Sequence, residues 1–178
     1  VSGTARYSGT NFSAPTSPPS VDANTRLLIN GDGAFFDDSS TSNHNITPTG
    51  AYHSQGHRGI APALAWPASG KATGSSGAYF DGTDSKIVVD VTSAFIGSNS
   101  ALTIDFWAFI DKVTDSCFLY DWRGSGTSNG YIHMNTTLRL DFMPIGGPSA
   151  FTTSDTAAGK IEFNKWNHIC YVRDTSGN

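Results

Sequence analysis

Hydrolysis of a glycosidic bond asks for a pair of carboxylates placed on either side of it. Acid is plentiful in this chain, but it is of one kind: fifteen Asp and Glu residues include a single glutamate, Glu162, which stands near a turn. The apolar run from Ala101 to Asp111 holds one internal carboxylate, Asp105, between Ile104 and Phe106. Nucleophilic serine chemistry has no G-x-S-x-G elbow to sit on, and Ser75 in GSSG and Ser125 in GSG read as turn residues. No glycine pattern for binding phosphates or dinucleotides occurs. A hard cation is the better match to the acids. Asp32, Asp37 and Asp38 cluster in INGDGAFFDDSSTSNH, and calcium takes several oxygens, including the carbonyls of a turn. The competing and favoured reading is an Asx-type turn capped by its own aspartates. His53 and His57 in HSQGH are separated by Gly56, which argues against a helix presenting both to one metal, so they read as solvated loop residues.

The elements that must position these groups are short strands. Hydrophobic residues make up 38% and aromatic residues 12% of the chain, and charged residues only 15%. Ser, Thr, Gly and Asn fill the surface instead, as in a β protein with many turns. Strand-like runs occupy 26–30, 45–49, 78–81, 86–91, 101–111, 117–122, 131–134, 138–143 and 167–173. Clusters such as DGTDS, GSNS, RGSGTSNG and IGGPS separate them. No segment keeps a helical period, although Ala34-Phe-Phe-Asp-Asp-Ser39 suits one tight turn. The pattern predicts an all-β fold, an antiparallel two-sheet β-sandwich or jelly roll. Leu102, Ile104, Phe106, Val88, Leu28 and Val172 are its expected core. Thr103, Asp105, Trp107 and Phe109 occupy the other face of their strand, which is half aromatic. Either a further layer covers that face or it lines a binding surface.

Four segments, in order, resemble the laminin-G-like or concanavalin-A-like jelly roll that recurs in marine phage structural and tail-fibre proteins. They are TRLLINGDGAFFDDSSTSNHNIT, SSGAYFDGTDSKIVV, SALTIDFWAFID and FNKWNHICYVRDTSGN, and together they span 26–178. The resemblance implies a C-terminally incomplete domain over 26–178. VSGTARYSGTNFSAPTSPPS is similar to the last strand and Pro-rich linker of a preceding repeat, so 1–25 are expected to be that strand and linker. The stretch Asp174-Thr-Ser-Gly177-Asn178 opens a hairpin whose second strand would follow it. Residues 3–8 are expected to add to a sheet edge, of this domain or of a second copy, and the C-terminal edge is expected to invite the same pairing. The resemblance also implies that the acidic turn can hold calcium, with Asp38 as the aligned acid. Here Thr41-Ser42-Asn43 replaces the family's usual gly-asn-gly, and no cofactor is required.

Glucanases share this fold, with glutamates in E-x-D-x-x-E on one concave strand. The corresponding strand here offers Asp105 alone, so no enzymatic activity is expected. The resemblance points to a non-catalytic, lectin-like carbohydrate-binding or adhesion module on a virion or extracellular surface. A purely structural spacer or oligomerisation module is the alternative, and a glycoside hydrolase the least favoured. Glycans are recognised by aromatic faces with a few polar groups. Trp107, Trp122, Asp105 and Arg123 are the expected ligand-binding residues, and Trp122 is followed by the polar loop RGSGTSNG that Arg123 opens. A net charge of -4 with Arg and Lys scattered singly offers no patch for nucleic acid. No apolar run reaches membrane-spanning length, and Val1 begins no signal peptide. Cys117 and Cys170 lie inside strand-like runs and read as buried free thiols rather than a disulfide.

Overall fold

The computed structural model describes residues 20–29, 40, 42–55, 76–91, 101–123, 130–137, 139–143, 151–152 and 161–173, and the side chains of all but 52–55, 76–77 and 151–152. Every regular element among them is a β-strand, every strand pair is antiparallel, and no helix occurs among the described residues. The strands are β1 (Asn45–Thr49), β2 (Tyr52–Gln55), β3 (Ser76–Tyr79), β4 (Lys86–Asp90) and β5 (Leu102–Phe109). They continue with β6 (Cys117–Asp121), β7 (Tyr131–Met134), β8 (Leu140–Met143), β9 (Phe151–Thr152) and β10 (Trp166–Arg173). The chain divides into two compact units, one holding β1 to β4 and the other β5 to β10. The expected strand at 26–30 is reduced to a single bridge at Ile29. The tight turn at 34–39, the acidic cluster Asp32, Asp37 and Asp38, the terminal piece 3–8 and the hairpin turn 174–178 lie outside the described residues.

In the first unit β1 pairs with β4 and β2 with β3, so two chain segments run antiparallel along their length. The DGTDS cluster therefore does not close a hairpin between β3 and β4; it forms a local loop between two strands with different partners. Asp81 holds that loop by accepting hydrogen bonds from the Thr83 amide (2.9 Å) and the Ser85 hydroxyl (2.7 Å). Gly50 lies opposite it with φ of 64°, and a Cβ there would come within 3.0 Å of Ser85 Oγ, so this close approach needs glycine. Val88, expected in the core, is 45% exposed. It shares a strand face with Lys86 and Asp90, while Ile87 and Val89 take the covered face. Two charged neighbours at the strand's own period outweigh one valine.

The second unit contains the core. β5 and β10 pair over their whole length, Leu102 opposite Arg173 and Phe109 opposite Trp166. β6 to β9 form a meander sheet in that order. Alternation sends Ile132 and Met134 of β7 and Leu140 and Phe142 of β8 to one face, where Ile132 pairs with Phe142 and Met134 with Leu140. These four, with Ile110, Ile161 and Ile169, make one buried cluster, and Ile104, Phe106, Ala108 and Tyr171 pack against it. Residues of both sheets thus contribute to one cluster, in which the rings of Phe142 and Tyr171 stack at 5.5 Å and 19°. Ile104 and Phe106 are where the alternation of β5 places them. Val172 is not: it pairs with Thr103, on the face away from Ile169 and Tyr171.

Candidate functional site

β6 holds the feature that shapes the site. Phe118 pairs with His133 and Tyr120 with Ile132, which leaves Leu119 as an extra residue in a β-bulge. Leu119 and Tyr120 both turn inward and pack on the core. In a regular strand Phe118 and Asp121, an odd number of residues apart, would point to opposite faces. The bulge returns Asp121 to the outer face, opposite Tyr131, beside Phe118.

The outer face of β6 to β8 is consequently a mixed aromatic and charged surface. Phe118 is 47% exposed, and its ring meets Tyr131 edge-on at 5.4 Å and His133 at 5.1 Å. Arg123 folds back from the end of β6, with its guanidinium carbon 4.2 Å from the Phe118 centroid and 5.3 Å from that of Tyr131. Asp121 fixes it there. Arg123 Nε donates to Asp121 Oδ1 (2.9 Å), Nη2 to Oδ2 (2.6 Å), and the Arg123 amide to Oδ1 (3.0 Å). The hydrogen bonds from Arg123 hold the Asp121 carboxyl below its ordinary range, and the same bonds raise the guanidinium above its own. The row continues across β7 and β8: Asp141 lies 3.5 Å from His133 Nδ1 through Oδ2 and 3.5 Å from Arg139 Nε through Oδ1. These are ion-pair distances with poor hydrogen-bond alignment, since Arg139 Nε and Asp141 Oδ1 make no hydrogen bond among the described residues.

The expected ligand-binding residues fall in three places. Arg123 belongs to the surface just described. Trp122 points the other way, stacking on Tyr120 at 6.2 Å and 20°. It lines, with Tyr171 and the buried Arg173, a cavity of about 20 Å³ at one end of the core. That volume suits about one water molecule, far below the several hundred Å³ of a small-molecule site. Trp107 and Asp105 lie on the outer face of the β5–β10 pair, opposite His168 and Cys170. All four are half-buried, and Trp107 and His168 rings meet at 5.1 Å. Burial lowers the His168 pKa against a smaller opposing pull from Asp105, and its Nε2 is shut off without a hydrogen-bond partner among the described residues. Burial also pushes the Cys170 thiol up to about 12 and raises that of Cys117; both cysteines are free.

Glu162 is exposed, ion-paired with Lys165, and its amide donates to Asn167 Oδ1 in the turn before β10. Asp32, Asp37 and Asp38 lie outside the described residues, among which no group of three or more acidic, His or Cys side chains converges as a metal would need. Sequence reasoning missed Phe118, Asp121, His133 and Asp141, and it counted Tyr131 with Trp66 and Tyr52 among the aromatic candidates without selecting it. Tyr131 and His133 were legible, since they alternate with Ile132 and Met134. Phe118 and Asp121 were not, because CFLYD has no alternation from which a bulge could be read. Comparison with protein-family models, with curated proteins and with solved structures finds no match to this chain.

Proposed function

We propose that this chain is a non-catalytic carbohydrate-binding module, a laminin-G-like or concanavalin-A-like β-sandwich of the kind carried by phage tail fibres and similar virion or extracellular surface proteins. One observation carries the reading. The exposed Phe118 is grouped with Tyr131, His133 and an Arg123 held in place by Asp121, on a single sheet face. Aromatic surface for the C–H faces of a sugar, edged by planar donors and acceptors for its hydroxyls, is what glycan recognition uses. Preorganisation of the long arginine side chain reduces the entropy lost on binding. Hydrolysis is not part of this reading, because Glu162 is tied to Lys165 and Asp105 faces Cys170 across the strand pair. No cofactor is needed, and calcium at Asp32, Asp37 and Asp38 would be an addition rather than a requirement.

A structural spacer or oligomerisation module is the second reading, favoured by the exposure of Phe80 (47%) and Val88 in the first unit. A glycan array probed with the purified chain, read beside its solution mass, separates the two. Saccharide binding weakened by Phe118→Ala supports the module proposed. A blank array with a concentration-dependent increase in mass supports the spacer. Reducing ends released from a laminarin-type or chitin-type substrate, and abolished by Asp105→Asn, would overturn the non-catalytic assignment.

A further inference from the structure

The surface built on the β6 bulge also has a charge logic. Its two guanidiniums, Arg123 and Arg139, each meet a carboxylate, Asp121 and Asp141, so the pairs sum to no net charge. Arg123 is the group an acidic ligand would seek, and Asp121 already occupies it. Two of the guanidinium nitrogens, Nε and Nη2, are committed to the two oxygens of one carboxylate, so the charge an incoming uronate would seek is already balanced. The aromatic floor reinforces the arrangement, since the cation lies against both Phe118 and Tyr131. Nη1, on the edge of the guanidinium turned away from Asp121, makes no hydrogen bond among the described residues. An N–H of an already neutralised pair suits a hydroxyl oxygen, which accepts without bringing a charge.

We infer that Asp121 sets the ligand class of this surface: by holding Arg123 in a two-point ion pair over Phe118 and Tyr131, it makes the site one for uncharged saccharides and turns away uronic and other acidic sugars. The inference rests on the carbohydrate reading above and adds to it the charge of the ligand and the residue that enforces it. An acidic sugar here would bring a second carboxylate up to a guanidinium whose charge Asp121 already neutralises. Discrimination of this kind, by an unfavourable charge against the wrong ligand, is a recognised route to specificity.

The experiment is a glycan array carrying neutral and uronic-acid saccharides side by side, with titration calorimetry on the best of each class, using the whole chain. The native chain is expected on the neutral saccharides. Asp121→Asn keeps the Oδ1 acceptor for the Arg123 amide and removes the charge. It is expected to gain at least about tenfold in affinity for acidic saccharides, as a released arginine finds a carboxylate. Adding Arg123→Gln to that variant should abolish the gain. Should Asp121→Asn melt well below the native chain, Asp121→Ser tests the same point. Preference of the native chain for acidic saccharides overturns the inference and leaves the carbohydrate reading standing. So does an unchanged neutral-to-acidic ratio in the folded Asp121 variants, or neutral binding indifferent to Phe118→Ala. A native chain that binds no saccharide of either class removes both.

Discussion

Ile132→Ala tests whether the two sheets of the second unit depend on the cluster they share. Ile132 is 2% exposed, pairs with Phe142 on β8, and lies opposite the bulge where Leu119 and Tyr120 both turn inward. The substitution removes three side-chain carbons, worth about 2.4 kcal/mol at ~0.8 kcal/mol each. A cavity penalty adds to this, because neighbours on three strands and across the cluster cannot all collapse inward, giving a loss of about 2–5 kcal/mol. For a unit of this size that lowers the melting temperature by about 10–20 °C or more. Val88→Ala is the control: Val88 is 45% exposed in the first unit, so the change should stay within about 0.5 kcal/mol. Urea unfolding followed by tryptophan fluorescence reads chiefly the right unit, since three of the four tryptophans, Trp107, Trp122 and Trp166, lie in it. A loss below about 1 kcal/mol for Ile132→Ala, or an equal loss for Val88→Ala, would refute a core centred on β7 and β8.

The two thiols should be inert. With Cys170 raised to about 12 and Cys117 raised as well, iodoacetamide at pH 8 should leave the native chain unmodified and label both only in denaturant, as read by intact mass. His168 should make stability fall on the acid side. Its folded pKa is lowered from the ordinary 6.5, chiefly by burial, so the unfolded chain takes up the proton first. The contribution is complete above the unfolded value and is lost as pH falls through about 6.5 and below. The native chain should therefore lose more melting temperature between pH 7.5 and pH 5 than His168→Gln, and parallel curves would remove the effect.

β5 shows what the sequence determined by itself. Leu102-Thr-Ile-Asp-Phe-Trp-Ala-Phe109 alternates, and a period of two decides which side chains share a face whatever the partner strand. So Ile104, Phe106 and Ala108 went to the buried cluster and Asp105 and Trp107 to the other side, as their spacing required. Identifying the partner strand was another matter. β5 pairs with β10, distant in sequence, and that pairing puts His168 against Trp107 and Cys170 against Asp105. Val172 shows the limit: an apolar residue in an apolar run carries no mark of which face it takes until register fixes it. Val88 is a different case: in KIVVD the charged Lys86 and Asp90 share its face, so the period of two itself turns Ile87 and Val89 inward.

The candidate site needed tertiary structure most. Trp122 and Arg123 are adjacent, so opposite directions were implicit, but which would face outward depended on the extra residue at Leu119. A bulge is a mismatch between two strands, a property of the pair that neither strand's sequence contains. Arg123, Asp121, Phe118 and Tyr131 meet because that mismatch turns Asp121 to the side of Phe118, and because β7 supplies Tyr131 and His133 opposite them. Composition and turn spacing determined that this is a β protein, and alternation determined which residues of β5 share a face; cross-strand register decided which polar and aromatic groups stand together on the outer face of β6 to β8.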